Sequence, residues 1–171
     1  YPLHELLGVL ALESHRHQCM VIGEDLGNVA PQMREAMRDG SLLSYKPLLF
    51  ERTEEGGFRP PGQWHPQALA VVSTHDLPTL RGFWLGEDIE LSAQLALYPD
   101  RAAHEQQVLG RAQDRAHLLL ALQHEQLLPE GVNVQPTSLP DATQAFVDAV
   151  YGYLARTPCW LVGVQLEDVT L

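Results

Sequence analysis

Short apolar runs that stop abruptly constrain this chain more than any other feature. Cys19-Met20-Val21-Ile22 ends at Gly23, Leu42 to Phe50 reads as a second such segment, Ala68 to Ser73 is a third, and Leu161-Val162-Gly163-Val164 is a fourth. Runs of this length are too short for helices and match strands buried on both faces. Segments with helical spacing stand between them: Leu3 to His17, Pro31 to Arg38 with Pro31 suited to a first turn, Pro78 to Leu85, Ala102 to Leu128, and Ala142 to Ala155 with Asp141 as its N-cap. Glu51 to Gly62 is charged and rich in Gly and Pro, and reads as a surface loop; Pro129 to Pro140 breaks the longest helix. Strands that alternate with helices predict an α/β fold with a parallel sheet. A doubly wound sheet and a (β/α)8 barrel both satisfy the pattern.

Composition removes several functions. Against 11 Lys and Arg stand 22 Asp and Glu, a net charge of −11 in 171 residues. Such a surface repels a phosphate backbone and an anionic bilayer, so we expect neither nucleic acid nor membrane as a partner. No apolar run approaches the roughly 20 residues that span a bilayer. Cys19 and Cys159 make neither a disulfide framework nor a metal-ligand set, and they fit a reducing, cytoplasmic location. The opening Tyr1-Pro2-Leu3-His4-Glu5 has no initiator Met and no signal-peptide layout, which leads us to expect a fragment.

Three of the four strands lead straight into polar residues: Gly23-Glu24-Asp25, Thr74-His75-Asp76 and Gln165-Leu166-Glu167-Asp168. Catalytic groups of α/β folds sit at the carboxyl ends of strands. No Gly-x-Gly-x-x-Gly or Walker-type loop follows any strand, and no Gly-x-Ser-x-Gly elbow exists. Glu24 and Asp76 are the pair to single out, because glycoside chemistry needs a proton-donating acid and a carboxylate that steadies an oxocarbenium-like state. Helix capping competes with that reading: Asp25 or Asn28 could cap the helix at Pro31, and Asp76 the one at Pro78. His15 and His17 cannot share a helix face, and His117 and His124 lack a carboxylate at a useful offset, so no metal site is expected. His75, beside Asp76, could donate a hydrogen bond to a sugar hydroxyl. Trp64 and Trp84 could stack on sugar rings or serve as core anchors.

The stretch LALESHRHQCMVIGEDLGNVAPQMREAMRDG resembles the 4-α-glucanotransferases of glycoside hydrolase family 77, with their Glu-Asp-Leu-Gly motif after a strand. AVVSTHDLPTLRGFW resembles the family's second signature, SYKPLLF its intervening strand, and LVGVQLEDV a strand near its C-terminus. The likeness runs over the whole chain and is nearest to the longer bacterial branch, whose His-Asp-Leu-Pro form has Leu77 where other members carry Asn.

That resemblance implies the second half of a (β/α)8 barrel, about strands five to eight, over residues 1–171, with residues 91–139 as a helical insertion. It implies Glu24 as general acid/base, Asp76 as the carboxylate that steadies the transition state, and His75 as a sugar ligand. Phe50 would line the groove, with Asp25 and Trp64 as further substrate contacts. The substrates would be maltooligosaccharides and other α-1,4-glucans, with no cofactor. Two roles for two carboxylates require that Glu24 lie in the drier surroundings. One departure matters: the family's nucleophile is the Asp of an Arg-x-Asp-His motif, and no such motif occurs in these 171 residues. The fragment alone should therefore be inactive, and an open half-barrel should self-associate. Two other readings compete: a hydrolysing or debranching relative of the same clan, and a non-catalytic glucan-binding module.

Overall fold

The computed structural model describes residues 2–170. Helix α1 spans Leu3–His17 and ends where Gln18 turns left-handed (φ 51°) and returns its N–H to the His15 carbonyl. Strand β1 is Ile22–Gly23, helix α2 Pro31–Asp39, strand β2 Leu43–Pro47, and strand β3 Ala68–Val71. Helices α3 (Leu80–Leu85), α4 (Glu87–Gln94), α5 (Arg101–His124) and α6 (Gln144–Ala155) follow, then strand β4 (Leu161–Val162) and helix α7 (Leu166–Val169). The strands form one all-parallel sheet in the order β1-β2-β3-β4. The order does not reverse, so these four strands lack the switch point of a doubly wound sheet.

Register divides the sheet into two faces. Ile22 pairs with Leu43, Ser44 with Ala68, Tyr45 with Leu69, Pro47 with Val71, and Ala70 with Val162. Side chains alternate along a strand, so Ala68, Ala70 and Val72 share one face of β3. All three are fully buried, and Ala70 and Val72 belong to the core made with Leu80, Trp84, Leu118, Leu122, Phe146 and Leu154 of the helices. Gly23 lies on this helical side as well: a Cβ there would sit 2.5 Å from the Met37 Cε of α2, so that flexible side chain would have to shift to admit one. Ile22, Leu43, Tyr45, Leu69 and Val71 take the opposite face, where a Cβ on Gly163 would meet Val71 Cγ1 at 2.9 Å.

Several segments are shorter or more exposed than the apolar runs predict. The first strand is two residues, not Cys19 to Ile22, and Met20 and Ile22 are exposed. The fourth stops at Val162, which is exposed along with Val164. Both are the outer strands of the described sheet and are paired on one side only. The second strand ends at Pro47, which has no N–H for the ladder, and Leu48–Phe50 continues as a 3-10 turn. Thr143, not Asp141, caps α6: its Oγ1 accepts from the Phe146 N–H at 3.3 Å. Asp141 lies outside the helix and pairs with Arg81 at 3.2 Å.

Near the C-terminus, Asp168 is wholly buried and ties three elements together. It accepts from the Leu80 N–H at 2.8 Å and from the Tyr151 hydroxyl at 2.7 Å, joining α7 to α3 and α6.

Candidate functional site

Strand ends assemble the site. Glu24 follows the last residue of β1 directly, and His75 and Asp76 lie four and five residues beyond the end of β3. Strand β2 lies between them. Alternation sends Glu24 to the face of Ile22 and Tyr45, and Asp25 to the face of Gly23 and Ser44. Two adjacent acids thus part company.

Asp25 is buried and its carboxylate is occupied. Oδ1 accepts from the Tyr45 N–H and Oδ2 from the Ser44 hydroxyl, both at 3.0 Å, with Lys46 Nζ at 3.5 Å and Arg34 Nε at 3.7 Å. Asp25 thus fixes the β1 loop to β2 and holds the segment that carries Glu24, while it also lines a cavity beside that loop. Neither Asp25 nor Asn28 caps α2, whose N-cap is Ala30 with no side-chain hydrogen bond.

Glu24 is exposed to solvent in the described chain. Its charge is felt at Tyr45, whose hydroxyl donates to the Ser73 carbonyl at 3.5 Å and is pushed above the usual tyrosine range by burial and, secondarily, by Glu24. Tyr45 thus lies between the Glu24 loop and the strand end that leads to His75 and Asp76. Sequence reasoning missed it; the period-2 alternation of Leu43, Tyr45 and Pro47 was the signal that could have found it.

His75 and Asp76 project freely, each side chain 77% exposed, with His75 Nε2 at 3.2 Å from Asp76 Oδ1. The loop beneath them is ordered by the Ser73 hydroxyl, which donates to the Pro78 carbonyl at 2.9 Å, and by the Asp76 N–H, which donates to Thr74 Oγ1 at 3.2 Å. Asp76 caps nothing: Thr79 is the cap of α3 and accepts from the Gly82 N–H at 3.0 Å. The capping alternative therefore fails for this residue.

Phe50 is half exposed at the end of the 3-10 turn and borders a cavity of about 410 Å³ with Asp25, Gly27, Arg34, Tyr45, Lys46 and Glu51. A sugar-sized space flanked by an aromatic, two cations and two carboxylates can engage ring faces and hydroxyls together. Trp64 is not part of it. It is 3% exposed, packed in the core, and its indole N–H donates to the Arg59 carbonyl at 3.0 Å, which corrects its expected role as a sugar platform. Trp84 is likewise a core residue. Another cavity, about 400 Å³, is lined only by residues between 85 and 115 and does not reach the strand ends. Among the described residues no group of three or more His, Cys, Asp or Glu could hold a metal, and no helix is long and apolar enough to cross a membrane.

The sequence profile of glycoside hydrolase family 77, described as 4-alpha-glucanotransferase, matches residues 1–171. The chain belongs to that family. It is 34% identical to a 4-alpha-glucanotransferase of Haemophilus influenzae across 99% of this chain and 24% of that protein. Identity to a 4-alpha-glucanotransferase of Mycobacterium tuberculosis is also 34%, across 98% of this chain and 22% of that protein. Amylomaltase from Corynebacterium glutamicum shares the α/β fold with its parallel sheet: TM-score 0.82, 28% identity, 95% of this chain and 23% of that one. The chain thus spans about a quarter of the length of these family 77 relatives.

Proposed function

We propose that the full-length protein carrying this chain transfers α-1,4-glucan segments between maltooligosaccharides by a retaining double displacement. The observation that carries the reading is the placement of Glu24 and the His75–Asp76 pair at the carboxyl ends of β1 and β3, on either side of β2, in a family 77 chain. The in-sequence order of four parallel strands supports strands five to eight of a (β/α)8 barrel, with residues 91–139 as a helical insertion.

An Asp from elsewhere in the full-length protein attacks the anomeric carbon while Glu24 gives its proton to the departing glycosidic oxygen. The bond to the leaving glucan breaks and a glycosyl ester forms. Glu24, now a carboxylate, takes the proton of an incoming 4-hydroxyl, whose oxygen displaces the ester and restores the α linkage. Asp76 stays ionised and steadies sugar hydroxyls as positive charge develops on the ring. His75, held beside it, hydrogen-bonds the same sugar, and Phe50 lines the groove. Without the nucleophile the 171-residue chain alone is inactive. Its two free cysteines accord with a cytoplasmic location.

Maltotriose disproportionation by the full-length protein tests this reading, with Glu24→Gln alongside. We expect glucose and a ladder of longer maltooligosaccharides, lost by at least about a thousandfold in the variant. Hydrolysis products alone, or a ladder that survives Glu24→Gln, would overturn it.

A further inference from the structure

Phe50 borders two cavities, not one. Beyond the cavity beside the Glu24 loop, a second of about 230 Å³ lies between Phe50, Leu77 and Pro78 on the strand side and Gln107, Gly110 and Asp114 of α5 on the other. That volume is below the roughly 300 Å³ at which pockets for whole small molecules begin, so it suits one part of an extended ligand. Its walls suit a sugar ring: Phe50 offers an aromatic face, and Gln107 and Asp114 offer donor and acceptor groups at the rim. Asp114 is held in place by Arg52 Nη1 at 2.9 Å, and Arg52 in turn stacks over Phe58 at 3.7 Å.

Gly110 is the decisive residue. It sits inside the 24-residue helix α5, where glycine is less stable than alanine. Its backbone is not left-handed, and a Cβ built on it would meet nothing within 4 Å. Neither conformation nor internal packing calls for a glycine here. What it supplies is bare helix backbone on the wall of a cavity.

We propose that this second cavity is a subsite for glucosyl units distant from the bond that Glu24 cleaves, and that Gly110 leaves α5 open to a sugar ring. A glucan crossing Phe50 enters both cavities, so α5 sets the preferred chain length. This inference rests on the glucanotransferase reading above.

The test uses the full-length protein and its Gly110→Leu, Gly110→Ala and Gln107→Leu variants. It reads kcat/KM for maltoheptaose relative to maltotriose, alongside the melting temperature. The expected result is a fall in that ratio of about tenfold in Gly110→Leu and about threefold in Gln107→Leu. Gly110→Ala should raise the melting temperature and still lower the ratio, a combination that a purely structural glycine cannot produce. Gln107 is exposed, so its variant keeps the test open if Gly110→Leu misfolds. Active variants with an unchanged ratio would overturn the subsite alone. A wild-type protein with no turnover of either sugar would overturn the glucanotransferase reading and this inference with it.

Discussion

Tyr153 shows how one hydroxyl can carry a pH dependence. It is 1% exposed, and its O–H donates to the Arg59 carbonyl at 2.8 Å, pinning α6 to the loop that precedes β3. Burial pushes its pKa up to about 12, with the charge of Glu125 adding to the effect. An unfolded tyrosine titrates near 10, so the folded state holds this proton more tightly. The associated stability is fully present below about pH 10 and is lost as pH rises through about 12, on the order of 2 kcal/mol. Melting temperatures measured between pH 9 and 12 should fall across that window, and less steeply in Tyr153→Phe. A flat profile to pH 12 would contradict this assignment. At the same scale, the positions of Glu24 and Asp76 in loops that follow β1 and β3 were legible from the apolar runs that precede them. Asp25 and Trp64 were not legible. A carboxylate one residue from the acid and a tryptophan in a Pro/Gly-rich loop read as surface groups until register and packing turn both inward.

Caps set the limits of the helices, and α6 allows a direct comparison. Asp141 and Thr143 are both capping residue types within two positions, and sequence offers no way to choose between them. The structure does, because only Thr143 has its side chain on a helical N–H of α6. Thr143→Ala should cost about 1 kcal/mol in urea or thermal unfolding. Asp141→Ala, which removes an exposed pair with Arg81, should cost less than about 0.5 kcal/mol. The reverse ranking would restore Asp141 as the cap. Helical spacing marked α1, α2 and α5 to within a few residues, since periodicity over nine or more positions averages out local ambiguity. The outer strands were overcalled as buried because an apolar run reports the tendency to be covered, whereas exposure depends on which neighbours are present.

As a whole molecule, the described chain presents apolar side chains to solvent at both margins of the sheet. Leu6, Val9 and Leu12 of α1 and Ile22 of β1 are exposed on one side, and Val162, Val164 and Leu166 on the other. β1 and β4 also each have one edge without a partner strand among the described residues. Unpaired strand edges beside apolar surface recruit further chains. The isolated 171-residue chain should therefore show a weight-average mass above 19.0 kDa that rises with concentration, as measured by light scattering. A sharp monomer at all concentrations would defeat that expectation.

The strand order has one more consequence. Among the described residues β2, β3 and β4 each pair with the strand that precedes them in sequence, so none of these three pairings waits for a distant segment. As the nascent polypeptide leaves the ribosome, β2 can close on β1 while β3 is still in the exit tunnel, and β3 can be in place before α5 has emerged. Such an arrangement lends itself to stepwise, N-to-C assembly of these four strands during translation, with an unpaired strand edge exposed at each stage.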